Sequence, residues 1–339
     1  MTRLDSGISA HGGAHEVRAP SAHQIAAAMS VIDPAFLNTP LLRGTSLDLA
    51  VDAELFCKVE TLNPIRSFKG RGTDLFASTL LGQRTVVCAS AGNFGQGIAR
   101  AAGRRGHTVI VFAAKRANRL KVEAMRRLGA EVRLGGADFD AAKDAARRFA
   151  ASSNGLYIED GAVPEIAEGA GTMALEISES GSMPEVMIVP LGNGALATGI
   201  GTWCRHAEAG TRVIGVVAEG APAMRLSFAA REPVATEKAN TIADGLAVRE
   251  PVAYAVECMR HTLDEVVTVS DKSIVRAMRL VHLHLGLVVE PAGVVSVAAL
   301  LEHPERWRGA RIAMPLCGGN VTQQDARSWL LGQPVKRPS

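Results

Sequence analysis

Apolar positions along this chain fall into two alternating regimes. Short unbroken apolar runs end at or near glycine, and longer stretches with apolar residues at three- and four-residue intervals follow them. "TVVCAS" (85–90) predicts a buried strand ending just before Gly92. "NFGQGIARAAGRRG" (93–106) predicts a helix stopped at Gly106, and "HTVIVFAA" (107–114) a second strand. The spacing over 117–130 predicts a helix with Leu120, Met125 and Leu128 on its apolar side and a solvated face at Arg126 and Arg127. "EVRLGG" (131–136) predicts a third strand, and 138–153 another helix. Such a β-α-β-α succession predicts a parallel sheet covered by helices on both faces.

The rhythm resumes after Asn154-Gly155. "EVMIVPL" (185–191), "RVIGVVA" (212–218), "EVVTVS" (265–270) and "RIAMPLC" (311–317) predict strands. Helices are expected near 195–208, 271–284 and 291–302, while 220–250 has weaker periodicity and is expected to be loop-rich and near a site. Two α/β units joined near 155–160 place a cleft between them, at the carboxyl ends of parallel strands. Residues 1–20 read as a mobile tail.

Composition narrows the classes. A chain of 339 residues, 47% hydrophobic and 21% charged, has room for one large or two medium globular domains. Aromatics are only 4% and the net charge is +3 without a basic block, which argues against nucleic acid as a partner. The five cysteines, Cys57, Cys88, Cys204, Cys258 and Cys317, form no C-x-x-C pair. Reduced thiols in a cytoplasmic protein are expected. No signal sequence opens the chain, and charge, Gly or Pro breaks every apolar run before the ~20 residues a membrane span needs.

Three stretches carry candidate chemistry, each with a bland alternative. "ETLNPIRSFKGRG" (60–72) frames Lys69, either a Schiff-base lysine or an ordinary surface lysine. "SAGNFGQG" (90–97) joins a strand to a helix, where free backbone N–H groups favour an anion such as a carboxylate. Its alternative is a tight turn that needs glycine for packing, and its spacing is not that of a dinucleotide fingerprint. "PLGNGALATGIG" (190–201) has the same placement, with Gly192 and Gly194 able to wrap a single phosphate. It lacks the Gly-Lys-Ser/Thr ending of a nucleoside-triphosphate loop. His282 and His284 stand two apart on a helix, on different sides, and do not make a metal pair.

Together, in this order, the stretches resemble fold-type II pyridoxal-phosphate enzymes. N-P-I-R-S-F-K-G-R-G resembles their cofactor-lysine segment, "SAGNFGQGIA" their substrate-carboxylate loop, "GNGAL" (192–196) their phosphate cup, and "PLCGGNV" (315–321) the strand end that meets the pyridine nitrogen. "KVEAMRRLGAEV" (121–132), "TIADGLAVREP" (241–251) and "LVVEPAGVVSVAALL" (287–301) resemble the threonine/serine dehydratase, or ammonia-lyase, branch. The resemblance runs from about Thr39 to Thr322.

It implies an α/β architecture of two Rossmann-like three-layer domains with mostly parallel sheets and an interdomain cleft. Residues 21–85 and 160–339 would form the large cofactor-binding domain, and 86–159 the small substrate-carboxylate domain. Lys69 would bond pyridoxal 5'-phosphate and later move the Cα proton. Phe68 would pack on the ring, with the flanking glycines letting the backbone approach it. Asn93 would meet the ring oxygen, and Gly192, Asn193, Gly194, Ala195 and Leu196 the phosphate. Ser90, Ala91, Gly92 and Asn93 would hold the substrate carboxylate. Cys317 would face the ring nitrogen, where a neutral thiol makes a weaker electron sink than an acid and so suits β-elimination better than transamination. The implied reaction converts a 3-hydroxy amino acid such as L-threonine or L-serine to a 2-oxo acid and ammonia. The implied assembly is a homodimer or homotetramer.

Departures refine this. Ala91 stands where serine racemases of this fold have a serine base, so efficient racemisation is not expected. Val217 and Pro222 stand where related enzymes have cation-binding carboxylates, and Glu219 alone is a poor site, so no metal is expected there. Phe94 replaces a common histidine. Ile65-Arg66 replaces a common Thr-Gly, and substrate choice is expected to differ there. The chain ends soon after 321, so the regulatory domain of feedback-inhibited relatives, and isoleucine control with it, is not expected. Three other readings compete: a dehydratase of a bulky, polar or otherwise non-standard 3-hydroxy amino acid; β-replacement, as in cysteine synthases, whose usual Thr-Ser-Gly-Asn-Thr and Gly-Thr-Gly-Gly-Thr loops are absent; and a silent cofactor- or ligand-binding protein.

Overall fold

A computed structural model describes residues 18–181, 183–207 and 210–332. Ten strands lie in two sheets, ordered β1-β2-β10-β7-β8-β9 and β5-β4-β3-β6. The larger holds β1 (Leu41–Leu42), β2 (Glu54–Val59), β7 (Val186–Pro190), β8 (Arg212–Ala218), β9 (Glu265–Val269) and β10 (Arg311–Leu316). Every pairing in it is parallel except β1 with β2. The smaller is wholly parallel: β3 (Thr85–Ala89), β4 (Thr108–Ala113), β5 (Glu131–Leu134) and β6 (Leu156–Ile158).

Val- and Ile-rich runs buried on both sides explain why these segments are strands. Along the larger sheet, Ile188, Ile214, Val216, Ile312 and Met314 pack with α2 (Ser46–Val51), α11 (Asp271–Leu285) and α12 (Val295–Glu302). Their neighbours Met187, Val189, Val213, Val217 and Ala313 pack on the other face with α7 (Pro164–Glu179), α8 (Ala195–His206) and α10 (Ala253–Thr262). The period of two thus feeds two cores, each side chain contributing about 1.5–3 kcal/mol of burial. In the smaller sheet Val86, Cys88, Val109 and Val111 meet α3 (Lys69–Ser78), α4 (Asn93–Gly103) and α5 (Arg119–Arg127). Val87 turns instead to Ala146 and Ala150 of α6 (Phe139–Ser153).

The predicted strands and helices after residue 84 are found within a few residues of their expected bounds. Differences have local causes. Met125 and Leu128 lie on the apolar side of α5 as expected, but Leu120 is 40% exposed and Val122 is buried in its stead. The 220–250 stretch contains a helix, α9 (Ala223–Ala230), before its irregular part. Of the segment read as a tail, residues 1–17 lie outside the described residues, as does residue 208 at the expected end of α8. Arg18 is held: it pairs with Glu168 and with Glu165 at 3.1 Å, and Tyr254 Oη donates to its carbonyl at 2.6 Å. No helix among the described residues is long and apolar enough to cross a membrane.

Candidate active site

The carboxyl ends of β3, β6, β7 and β10 converge on a cavity of about 330 Å³. Phe68, Lys69, Ser90, Ala91, Gly92, Asn93, Gly192, Asn193, Gly194, Ala195, Leu196 and Cys317 all line it. Residues from separate stretches of the sequence therefore share one wall.

Lys69 is the first residue of α3. The turn before it is folded by Asn63, whose Oδ1 accepts from Ile65 N at 3.2 Å and Ser67 N at 3.1 Å. Phe68 N donates to Cys317 O at 3.0 Å, tying the lysine to the end of β10. The flanking glycines have a different purpose from the expected one. A side chain at Gly70 would collide with Phe36, and one at Gly72 with the backbone of Ile166 in α7. They serve helix packing, and neither lines the cavity. Nor do Ile65 and Arg66: Ile65 is buried with Ala28, Ile32, Phe36 and Leu75. The pair therefore lies behind the cavity wall, and Arg66 bears on the cavity through its charge on Glu290.

The 90–94 turn is built by Ser90, whose Oγ accepts from Gly92 N at 3.1 Å and Gly95 N at 2.9 Å. The first N–H groups of α4 have no partner within the helix, and Asn93 and Phe94, which carry two of them, line the cavity. At β7 the chain turns through Gly194, φ +94°, which caps α8 without any side-chain acceptor. A side chain at Gly192 would strike Gly245 O. An uncapped helix start with no acid in its first turn is a site for an anion, and this one fits a phosphate group. Cys317 is buried, and burial first, then Glu60 and Glu290, pushes its thiol well above its ordinary value, so it is a neutral neighbour to any ring nitrogen placed there. An amine to bond its aldehyde and an anion cradle for its phosphate are what pyridoxal phosphate requires of its surroundings, and the residues present fit it, with a neutral thiol beside the place of its ring.

Four polar residues that the sequence reading left without a role complete the wall. Lys69 Nζ donates to Asp160 Oδ2 at 2.5 Å. Asn93 Nδ2 donates to Glu290 Oε1 at 2.5 Å, and Asn320 Nδ2 to Asn93 Oδ1 at 2.8 Å. Lys121 pairs with Asp244 and lies 3.9 Å from Glu290 Oε2. Lys121, Asp244 and Glu290 stand inside the three segments that resemble the dehydratases. Asp160 had only a weak signal, an acidic pair closing the short run "LYIED".

Burial pushes the Glu290 carboxyl up to about 7, with Lys121 pulling the other way. The folded protein keeps that proton to a higher pH than the unfolded chain does. Stability from this group is therefore expected to fall as pH rises from the ordinary carboxylate range towards 7. Glu290→Gln, which cannot ionise, is expected to flatten the melting temperature across that window. A slope identical to the wild type's would remove Glu290 as its source. A second expectation concerns Gly161, at φ +86°, where a side chain would collide with Asn193 O. Gly161→Ala is expected to displace the phosphate loop and weaken cofactor binding about tenfold or more by absorbance titration, since ~1–3 kcal/mol of strain is imposed there.

Comparison with known proteins agrees with this geometry. Residues 32–318 match the family described as pyridoxal-phosphate dependent enzyme. The L-threonine ammonia-lyase of Thermotoga maritima is 33% identical over 286 residues, which is 84% of this chain and 71% of that protein. The biosynthetic L-threonine dehydratase IlvA of Salmonella typhimurium is 31% identical over 288 residues, and this chain spans 56% of its length. The solved structure of a threonine deaminase from T.th. superposes with a TM-score of 0.83 at 30% identity, covering 89% of this chain and 99% of that one. The chain belongs to the pyridoxal-phosphate dependent enzyme family, in its fold-type II form.

Proposed function

We propose that the chain catalyses β-elimination of a 3-hydroxy amino acid, such as L-threonine or L-serine, to a 2-oxo acid and ammonia. The observation that carries this is the convergence of Lys69, the uncapped start of α8 and the neutral Cys317 thiol on one cavity. The similarity to threonine ammonia-lyase and threonine deaminase supports the same reading.

When bound, pyridoxal phosphate withdraws the electrons of the substrate's Cα–H bond. Lys69 would hold the cofactor through Nζ and, once released, its amine would take the Cα proton. Backbone N–H groups from Gly192 to Leu196 would bind the phosphate, and in the 90–93 turn those of Ala91 and Asn93 would bind the substrate carboxylate, because Ser90 N donates to Phe112 O and Gly92 N to Ser90 Oγ. Phe68 packs beneath the lysine, whose Nζ lies 4.7 Å from the ring centroid. Cys317 offers the ring nitrogen no proton donor of carboxylic strength, so loss of a β-group is favoured over a persistent carbanion. Ala91 has only a methyl group and can move no proton, which argues for elimination rather than racemisation.

The division into a large domain (21–85 with 160–339) and a small one (86–159) is part of this reading, as are a cytoplasmic setting and a dimeric or tetrameric assembly. All five cysteines are free, which suits a reducing compartment. The test is a panel of 3-hydroxy amino acids incubated with the cofactor-loaded enzyme while 2-oxo acid and ammonia are followed. Release of both from at least one member is expected. Release from none, with condensation on adding thiols, would move the reading to β-replacement.

A further inference from the structure

Asp160 stands two residues past the end of β6, on the smaller sheet, whereas Lys69 stands on α3. Oδ2 of Asp160 accepts from Lys69 Nζ at 2.5 Å, and the two side chains are only 13% and 15% exposed. The other oxygen, Oδ1, is buried and has no hydrogen-bond partner. Glu165, paired with Arg18, and Glu290 in the same cavity also leave one buried oxygen open, but Asp160 is the one of the three that pairs with Lys69. The ion pairs of Arg71 are closed. Glu60 and Glu176 have both oxygens filled, by Arg71 Nε and Nη2 and by Arg71 Nη1 and Nη2. Neighbouring Glu159 is likewise spoken for by Lys143 and Arg147. A buried carboxylate oxygen left open in a cavity wall calls for a donor. The position of Asp160 is also fixed: the next residue, Gly161, packs so closely on Asn193 O that no side chain fits. The carboxylate is thereby registered to the phosphate loop.

We propose that Asp160 is the positioning residue for amine exchange, its two oxygens serving the two amines that trade places at this site. Oδ2 holds the Lys69 amine whenever that amine is not bonded to carbon. Oδ1 accepts a hydrogen bond from the amino group of the incoming substrate. This rests on the proposed function only in taking Lys69 as the amine that holds the cofactor. A lysine side chain has four rotatable methylenes, and an acceptor at a fixed place shortens its search for the productive geometry. The carboxylate itself forms no covalent bond.

The test uses the cofactor-loaded enzyme and L-alanine, which has no β-leaving group. Stopped-flow absorbance then reports amine exchange without turnover. In Asp160→Asn and Asp160→Ala the exchange rate is expected to fall about 100-fold, the size of a lost positioning contact, with bound cofactor and melting temperature near wild type. Added formate is expected to restore the rate in Asp160→Ala by occupying the vacated space. An unchanged rate in Asp160→Asn, or a loss in Asp160→Ala that formate does not restore, overturns the assignment of Asp160. If the wild-type enzyme shows no spectral exchange with any amino acid, the proposed function falls and this inference with it.

Discussion

Alanine at Lys69 is expected to reduce 2-oxo acid formation by about 10⁴-fold or more, equivalent to at least ~5.5 kcal/mol of lost transition-state stabilisation. The size follows from the two tasks one amine performs. It holds the cofactor covalently, and it is the base nearest the substrate's Cα. No neighbour can take over. Lys121 is already committed to Asp244 and Glu290. Lys143 is shared among Asp140, Glu159 and Glu250 at 3.4–3.8 Å. Arginine at position 69 is expected to fail as completely, because a guanidinium stays charged and cannot accept a proton. The start of α8 is untouched by either change, so cofactor is expected to remain bound through its phosphate, with an absorption band shifted to that of the free aldehyde. Turnover above about 1% of wild type in Lys69→Ala would show that another group is the base.

The site was legible in the sequence where its chemistry is local. Glycines directly after an apolar strand favour an open helix start, and Gly192 and Gly194 announced the uncapped start of α8 in the cavity wall for that reason. Cys317 was readable because a strand ends there and Gly-Gly-Asn follows. Asp160 carries no such local mark. It reaches Lys69 only because β6 lies beside β3 in the smaller sheet, and that order is set by pairing between distant segments. Glu290 reaches Asn93 across 197 residues in the same way. The misread positions share a cause as well. Ile65, Gly70 and Gly72 looked like parts of a ligand frame because they flank the lysine, but the Ile65 side chain is buried with Phe36, and the helix brings the backbone of Gly70 against Phe36 and that of Gly72 against Ile166 of α7. Proximity in sequence to a reactive residue specifies a neighbourhood, not a contact. The strand order β1-β2-β10-β7-β8-β9 was beyond reach for the same reason: β2 and β10 pair along six residues although about 250 positions separate them.

Replacing Arg71 with methionine is expected to cost about 3–5 kcal/mol of stability, the range for breaking a buried ion pair by removing one partner. Arg71 is wholly buried on α3, two positions from the reactive lysine. It donates to Glu60 at 2.8 and 3.0 Å, to Glu176 at 2.6 and 3.0 Å, to Thr172 Oγ1 at 2.9 Å and to Thr39 Oγ1 at 3.1 Å. Lys58 adds a second cation, 2.5 Å from Glu176. Two cations thus balance two carboxylates inside the protein. Burial alone would push the Glu176 carboxyl up, but Arg71 and Lys58 outweigh it and hold it below its ordinary range. Its contribution to stability is therefore present at neutral pH and is lost only as pH falls through that lowered value. Without Arg71, two buried carboxylates share one lysine, and protonation or water entry must follow. The melting temperature is expected to fall by roughly 5–8 °C for a chain of this size. Activity is expected to fall with it, because Glu60 and Glu176 bind α3 to β2 and α7. The decisive comparison is Arg71→Met against the same change combined with Glu60→Gln and Glu176→Gln. Removing the stranded charges is expected to recover part of the stability, whereas a defect of packing alone would leave the combined variant no better than the single one.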